Sequence, residues 1–256
     1  MSEFQDAIDA SQDMKAKGVM TYEHLWTLFQ PGSLVYSRQE GQDRLFKLRS
    51  GRYGTDRNGN PVFWLLMQYV DYDGTKFGTQ RINLQIRAYS GTRPITALSC
   101  SPIEFHVNKT DIQDKLMDRA SRIEAFAGVH YRTYEGLGWR MSSLGQKEKY
   151  SVKGRIVVDT YGWNKFNPNH TIYVSSLPKE HSPHDDETVQ NNANADEEYD
   201  DDNDMDGGMP VDGHFGDEDD QTVRQALTPD QKLVCTHLLR GYALKEKIWL
   251  NLYVSH

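Results

Sequence analysis

The sequence predicts an α+β fold: one β-rich domain of mostly antiparallel strands, with two main helices and a long disordered acidic insertion. Three observations predict it. Residues 62–89, VFWLLMQYVDYDGTKFGTQRINLQIRAY, are rich in aromatic and β-branched residues and fold about Asp73–Gly74, a hairpin turn pair. Residues 110–128, TDIQDKLMDRASRIEAFAG, repeat apolar residues at helical spacing. Residues 185–220 hold sixteen Asp and Glu and no Lys or Arg. Such a stretch has little to bury and repels itself, which predicts disorder.

Taken in order, residues 1–18 are polar and read as a flexible leader, and the domain is expected over 19–256, interrupted at 178–225. Thr21 can cap a helix over YEHLWTLF, stopped by the Pro31–Gly32 turn. Strands at 33–38 and 43–50 are joined by the turn QEGQ, and Asn58–Gly59 and Pro61 mark a loop. In the long hairpin, the second arm alternates Ile82, Leu84 and Ile86 with polar residues. The first arm is apolar through Met67, which predicts a central strand. Residues 94–106 add one or two short strands.

The helix at 110–128 has Thr110 or Asp111 as its cap and Gly128 as its stop, with Ile112, Leu116, Ala120, Ile123 and Ala127 on its apolar face. Lys115, Arg119 and Arg122 form a basic stripe beside that face, and Asp111–Lys115 and Asp118–Arg122 have the i,i+4 spacing of ion pairs. Strands follow at 130–136 and 151–163. A short helix is expected in 227–239, with Thr228 as cap and Pro229 at its first position. Alternating apolar residues in GYALKEKIWLNLYVSH predict a last strand, and its reaching the final residue suggests a chain cut at a domain boundary. The strands flanking the acidic tract are expected to pair in one sheet, leaving the tract as an exposed insertion.

The net charge of −8 is an average over two unlike parts. Without 185–220, 29 basic and 21 acidic residues remain, a body of +8. Two cysteines, Cys100 and Cys235, make neither a disulfide framework nor a CxxC metal site, and read as buried thiols. No signal-peptide core opens the chain, and the apolar run VFWLLM is far too short to span a bilayer. An intracellular protein, cytoplasmic or nuclear, with no membrane partner, is the expectation.

DDDNDMDGGMPVDG (200–213) places Asp202, Asp204, Asp206 and Gly207 at the first, third, fifth and sixth positions of a calcium loop. Its twelfth position is Gly213 where the bidentate glutamate belongs, and neither flank is helical. The tract reads as a solvated polyanion. HSPHD (181–185) could contact a metal only weakly from such a setting. No P-loop, nucleophile elbow, HExxH or GxGxxG occurs, and no set of residues stands out as catalytic. Neither a catalytic nor a cofactor-binding residue is assigned, and the expectation is that the chain is not an enzyme.

Arg44, Lys47, Arg49, Arg52 and Arg57, interleaved with Phe46 and Tyr53, have the aromatic–basic pattern used to hold single-stranded nucleic acid. With Lys115, Arg119 and Arg122, residues 44, 47, 49 and 52 are the expected surface contacts. Trp26, Trp64, Trp163 and Trp249 sit among apolar neighbours and read as core.

HLWTLFQPGSLVY (24–36), FWLLMQYVDYDGTKFG (63–78), YSGTRPITALSCSPIEFH (89–106), KLMDRASRIEAFAGVHYRTYEG (115–136), VKGRIVVD (152–159) and GYALKEKIWLNLYV (241–254) together resemble an uncharacterised domain that precedes the AAA ATPase core in filamentous-fungal proteins. The resemblance covers roughly residues 20–254. It implies a non-catalytic recognition or regulatory module that binds a protein substrate or adaptor, with a AAA core in cis or in trans. ATP and Mg would belong to that core, since no nucleotide-binding residue of the family falls on this chain. A nucleic-acid-binding module, modulated by the acidic insertion, is the alternative expectation.

Overall fold

A computed structural model of the chain describes residues 2–177 and 226–254, with side chains from residue 8 onward. The expected acidic insertion at 178–225, with the calcium-loop and HSPHD motifs inside it, lies outside the described residues. The polar start, expected to be a flexible leader, forms α1 (Ser2–Ala16). Its Ser11 is buried, Met14 packs against the core, and Lys15 Nζ donates to the Thr27 carbonyl at 2.5 Å.

The chain then passes through β1 (Val19–Thr21), a 3-10 turn (Tyr22–His24) and α2 (Leu25–Leu28). The helix expected over 22–29 is thus a 3-10 turn and a single α-turn. Thr21 stands at the N-cap position, as expected, but its side chain makes no cap bond; the hydroxyl bonds His24 Nδ1 at 2.8 Å.

β2 (Leu34–Gln39) and β3 (Gln42–Thr55) join through Glu40 and Gly41, at φ 56° and 81°. Both turn residues are left-handed, which matches the twist of a two-residue hairpin. β4 (Pro61–Tyr72) and β5 (Phe77–Arg87) form the hairpin about Asp73–Gly74. Asp73 Oδ1 accepts from the Thr75 and Lys76 amides at 2.8 Å each, closing the turn. β6 (Thr92–Pro94) pairs with β1, and β7 (Ser101–Pro102) adds to β2. The sheet order is β5-β4-β3-β2-β7, antiparallel throughout, with β4 inside it as its apolar run predicts.

α3 (Lys109–Ala125) buries Ile112, Leu116, Arg119, Ala120 and Ile123. Its N-cap is Asn108, without a side-chain cap bond, rather than Thr110 or Asp111. β8 (His130–Met141) and β9 (Lys147–Val158) form a long hairpin. The strand expected through 163 stops at 158. Asp159 then accepts from the Gly162 amide at 2.8 Å and caps α4 (Thr160–Phe166).

After the undescribed stretch, Thr228 and Gln231 make a reciprocal capping box on α5 (Pro229–Leu233). The expected last strand is a hairpin, β10 (Leu238–Ala243) and β11 (Ile248–Tyr253). β8, β9, β10 and β11 close into a four-stranded barrel. β9 pairs with β10 from Val158↔Gly241 to Ile156↔Ala243, so strands from the two sides of the acidic tract share one sheet.

Three apolar clusters result. One lies under the five-stranded sheet around Phe46, Phe63, Leu65 and Met67. A second lies between that sheet and α3, around Leu45, Val70, Ile112 and Leu116. The third fills the barrel with Val152, Ile156, Leu250 and Leu252. The sheet also meets the chain that enters the barrel: the Val70 amide donates to the Val234 carbonyl at 2.9 Å, and Thr236 N donates back to the Val70 carbonyl at 2.8 Å. Among the described residues no helix is long and apolar enough to cross a membrane.

Candidate functional site

Of the seven basic residues expected at the surface, Lys47, Arg49, Arg52, Lys115 and Arg122 are exposed. Arg122 pairs with Asp118 at 2.6 Å on solvent-facing α3. Arg44 and Arg119 are not on the surface at all: their exposures are 5% and 2%. Strand and helix period explain both. Arg44 is two residues before Phe46 and shares its inward face. Arg119 is three residues after Leu116 and four before Ile123, so it belongs to the apolar stripe itself.

The two arginines meet a third, Arg240, where β3, β4, α3 and the start of β10 converge. Arg240 holds Asp71 through two parallel bonds, Nη1–Oδ1 at 2.5 Å and Nη2–Oδ2 at 2.8 Å. Asp71 is fully buried and accepts a further bond from the Tyr72 amide. Burial alone would lower the Arg240 guanidinium; the Asp71 carboxylate reverses this and holds it above its ordinary range.

Arg44 places its guanidinium carbon 4.5 Å from the Phe46 ring centre and 4.7 Å from that of Tyr69. Arg119 Nη2 donates to the Asp43 carbonyl at 2.9 Å. Burial, and then the Arg44 charge, pull Arg119 down to about 10. His237, 4% exposed, stands among these groups. Burial first, then Arg44, Arg119, Arg240 and Lys147, push its imidazole down to about 2. At the outer edge the His237 ring lies 5.9 Å from that of Tyr253. The Tyr253 hydroxyl bonds Glu40, which pairs with Lys147, and Lys147 sits over the Trp139 ring.

Burial and Asp71 push the nearby Cys235 thiol up to about 12, so it stays protonated at neutral pH. Burial likewise pushes Cys100 up to about 11. Among the described residues no three His, Cys, Asp or Glu side chains gather as a metal-ligand set.

Two surface features stand apart from that cluster. A cleft of about 530 Å³ is lined by Arg57, Arg87, Asn83, Gln85 and Trp64, among others. Asp56 fixes its rim by accepting from the Asn58 and Asn60 amides at 2.9 Å each.

The other is an aromatic face on α4 and β11. Phe166 stacks on Trp249, with ring centres 5.7 Å apart and planes at 21°, and Tyr242 meets Trp249 edge-on at 5.3 Å. Tyr161 and Phe166 remain 62% and 64% exposed. α4 is nonetheless held firmly: Asn164 donates to the Asp73 carbonyl at 2.7 Å and accepts from the Ile172 amide at 2.8 Å. Trp163 Nε1 donates to the His170 carbonyl at 3.0 Å. Of the four tryptophans expected in the core, Trp163 is buried, Trp64 and Trp249 are half-buried, and Trp26 is 41% exposed. The aromatic face escaped sequence reasoning because Phe166 and Trp249 are far apart in the chain. The signal available was the run of aromatics in DTYGWNKF.

A family described as a domain of unknown function (DUF7025) matches residues 10–107, from α1 through the segment before α3. The match carries no link to AAA-type ATPases or to fungi, and it spans the five-stranded sheet but not the barrel. No curated protein matches the chain. No solved structure matches it.

Proposed function

We propose that the chain is a non-catalytic, intracellular recognition or regulatory module that binds a partner protein through the aromatic face of α4 and β11. The observation that carries this reading is the exposure of Phe166, stacked on Trp249, on a helix whose backbone neighbours are pinned by Asn164 and Trp163. Rigid, half-stacked aromatics lose little entropy when covered, and such residues dominate protein interfaces. The ordered series of segments from HLWTLFQPGSLVY to GYALKEKIWLNLYV supports a finer reading: the N-terminal module of a fungal AAA-type ATPase, with the motor in cis or in trans and a protein substrate or adaptor as the ligand. Position before a motor is an argument by analogy, so the test must identify the partner.

A photo-crosslinking amino acid placed at position 166, with exposed Lys153 on β9 as the control position, is the direct measurement. A AAA-type ATPase or its adaptor recovered from position 166 alone is the expected result. Equal recovery from both positions, or none from 166, removes the reading.

A second reading, nucleic-acid binding, is favoured by one feature: Arg57, Arg87 and Trp64 line the same cleft, which offers two charges and a stacking ring. Single-stranded oligonucleotide affinity should then fall with salt at a log–log slope of about −1.4 for two neutralised phosphates, and Arg57→Ala with Arg87→Ala should flatten it. Binding that ignores both salt and the double variant rules this reading out.

A further inference from the structure

We infer that the buried cluster of Arg44, Arg119 and His237, beside the Asp71–Arg240 pair, is a binding site for a small dianionic oxyanion: inorganic phosphate or the phosphate group of a monoester. The charge balance points there first. Three guanidinium groups, each no more than 5% exposed, share one equally buried carboxylate, Asp71, and that carboxylate gives both its oxygens to Arg240. Among the described residues, two positive charges in the interior are left without a buried counter-charge. Proteins keep buried charges paired, because an isolated one is costly to desolvate.

The hydrogen-bond balance agrees. Arg44 Nε and Nη2, Arg119 Nη1, Arg240 Nε and both ring nitrogens of His237 are buried and make no hydrogen bond within the described residues. Unmade bonds on buried donors carry their full desolvation penalty. Phe46 and Tyr69 both pack against the Arg44 guanidinium, and its unmatched donors, Nε and Nη2, share one planar edge. An edge of N–H groups is the geometry with which arginine takes a phosphate oxygen pair.

The donors also come from different elements that pack around one place: Arg44 from β3, Arg119 from the buried stripe of α3, and His237 from the chain entering β10. The Arg44 and Arg119 charges act on each other and on His237. A tetrahedral anion offers several acceptor oxygens at once and about two negative charges. It therefore answers both deficits. A single carboxylate answers neither fully.

A site this deep takes its anion as the chain closes, so the ion should purify with the protein. The full chain, purified without phosphate, is denatured in acid and the released phosphate is measured before and after phosphatase treatment. About one equivalent per chain is expected, and the phosphatase step separates inorganic phosphate from a monoester. In parallel, the chain is unfolded and refolded in phosphate or in chloride at equal ionic strength. Phosphate should raise the Tm by about 5 °C or more over chloride. Arg119→Met, which retains the aliphatic stem, should lose both the bound ion and that rise. No released phosphate together with equal Tm values in the two salts overturns the proposal. So does a rise of the same size in Arg119→Met, which would place the ion elsewhere. If that variant does not fold, the wild-type content and refolding measurements decide.

Discussion

Asp71→Asn should destabilise the chain by about 3–5 kcal/mol, the largest effect expected of any single substitution here. The carboxylate is fully buried and is the partner of Arg240, itself 4% exposed. Asparagine keeps the shape but removes the charge, so in chloride buffer Arg240 would face the interior beside Arg44 without its carboxylate partner. The loss should appear as a lower urea midpoint at an unchanged slope, since little surface exposure changes. Asp71→Asn combined with Arg240→Met should recover most of the loss, because a buried pair costs much more to break than to replace with apolar groups. If Asp71→Asn alone stays within about 1 kcal/mol of wild type, water reaches the pair and the cluster is not a dry interior.

That cluster also marks where sequence reading reached its limit. Hairpin turns were legible because they are local: Asp73–Gly74 and Glu40–Gly41 declare themselves by residue type, and both fall where expected. The α3 stripe and the α5 capping box were legible for the same reason. Residues 2–16 fold as α1 although little in their composition asks for a core; packing of Ser11 and Met14 against later residues supplies what propensity lacks. The basic residues needed more than counting. Arg44 and Lys47 lie three apart on one strand and therefore face opposite ways, one inward and one to solvent. Applying the helical period to Arg119 moves it from a wet stripe to the buried one. What no local rule could supply is that Arg44, Arg119, Arg240 and Asp71, far apart in the chain, meet at one junction. Convergence is a property of topology.

The second large effect is on pH dependence, and it follows from His237. Burial and the surrounding Arg44, Arg119, Arg240 and Lys147 hold its imidazole down to about 2 in the folded chain, against an ordinary value of 6.5. Between those values the unfolded chain carries a proton on this residue that the folded chain does not. Stability therefore rises with pH through that window: it is fully present above about 6.5 and is lost as pH falls below it. The slope approaches about 1.4 kcal/mol per pH unit, so moving from pH 7 to pH 5 should cost about 2 kcal/mol from this residue alone. Urea midpoints at those two pH values, in chloride, measure the difference, and His237→Gln should abolish most of it. A wild-type profile already flat over that range would mean that the imidazole ionises freely in the folded state. The same experiment in sulfate, a tetrahedral anion that keeps both charges from pH 7 to pH 5 where phosphate takes up a proton, bears on the anion site independently of its stoichiometry. A dianion seated among these groups offsets the guanidinium charges that act with burial to keep His237 neutral, so its folded pKa should climb toward the unfolded value. The loss between pH 7 and pH 5 should then be smaller in sulfate than in chloride for wild type, and the two salts should give the same profile for His237→Gln.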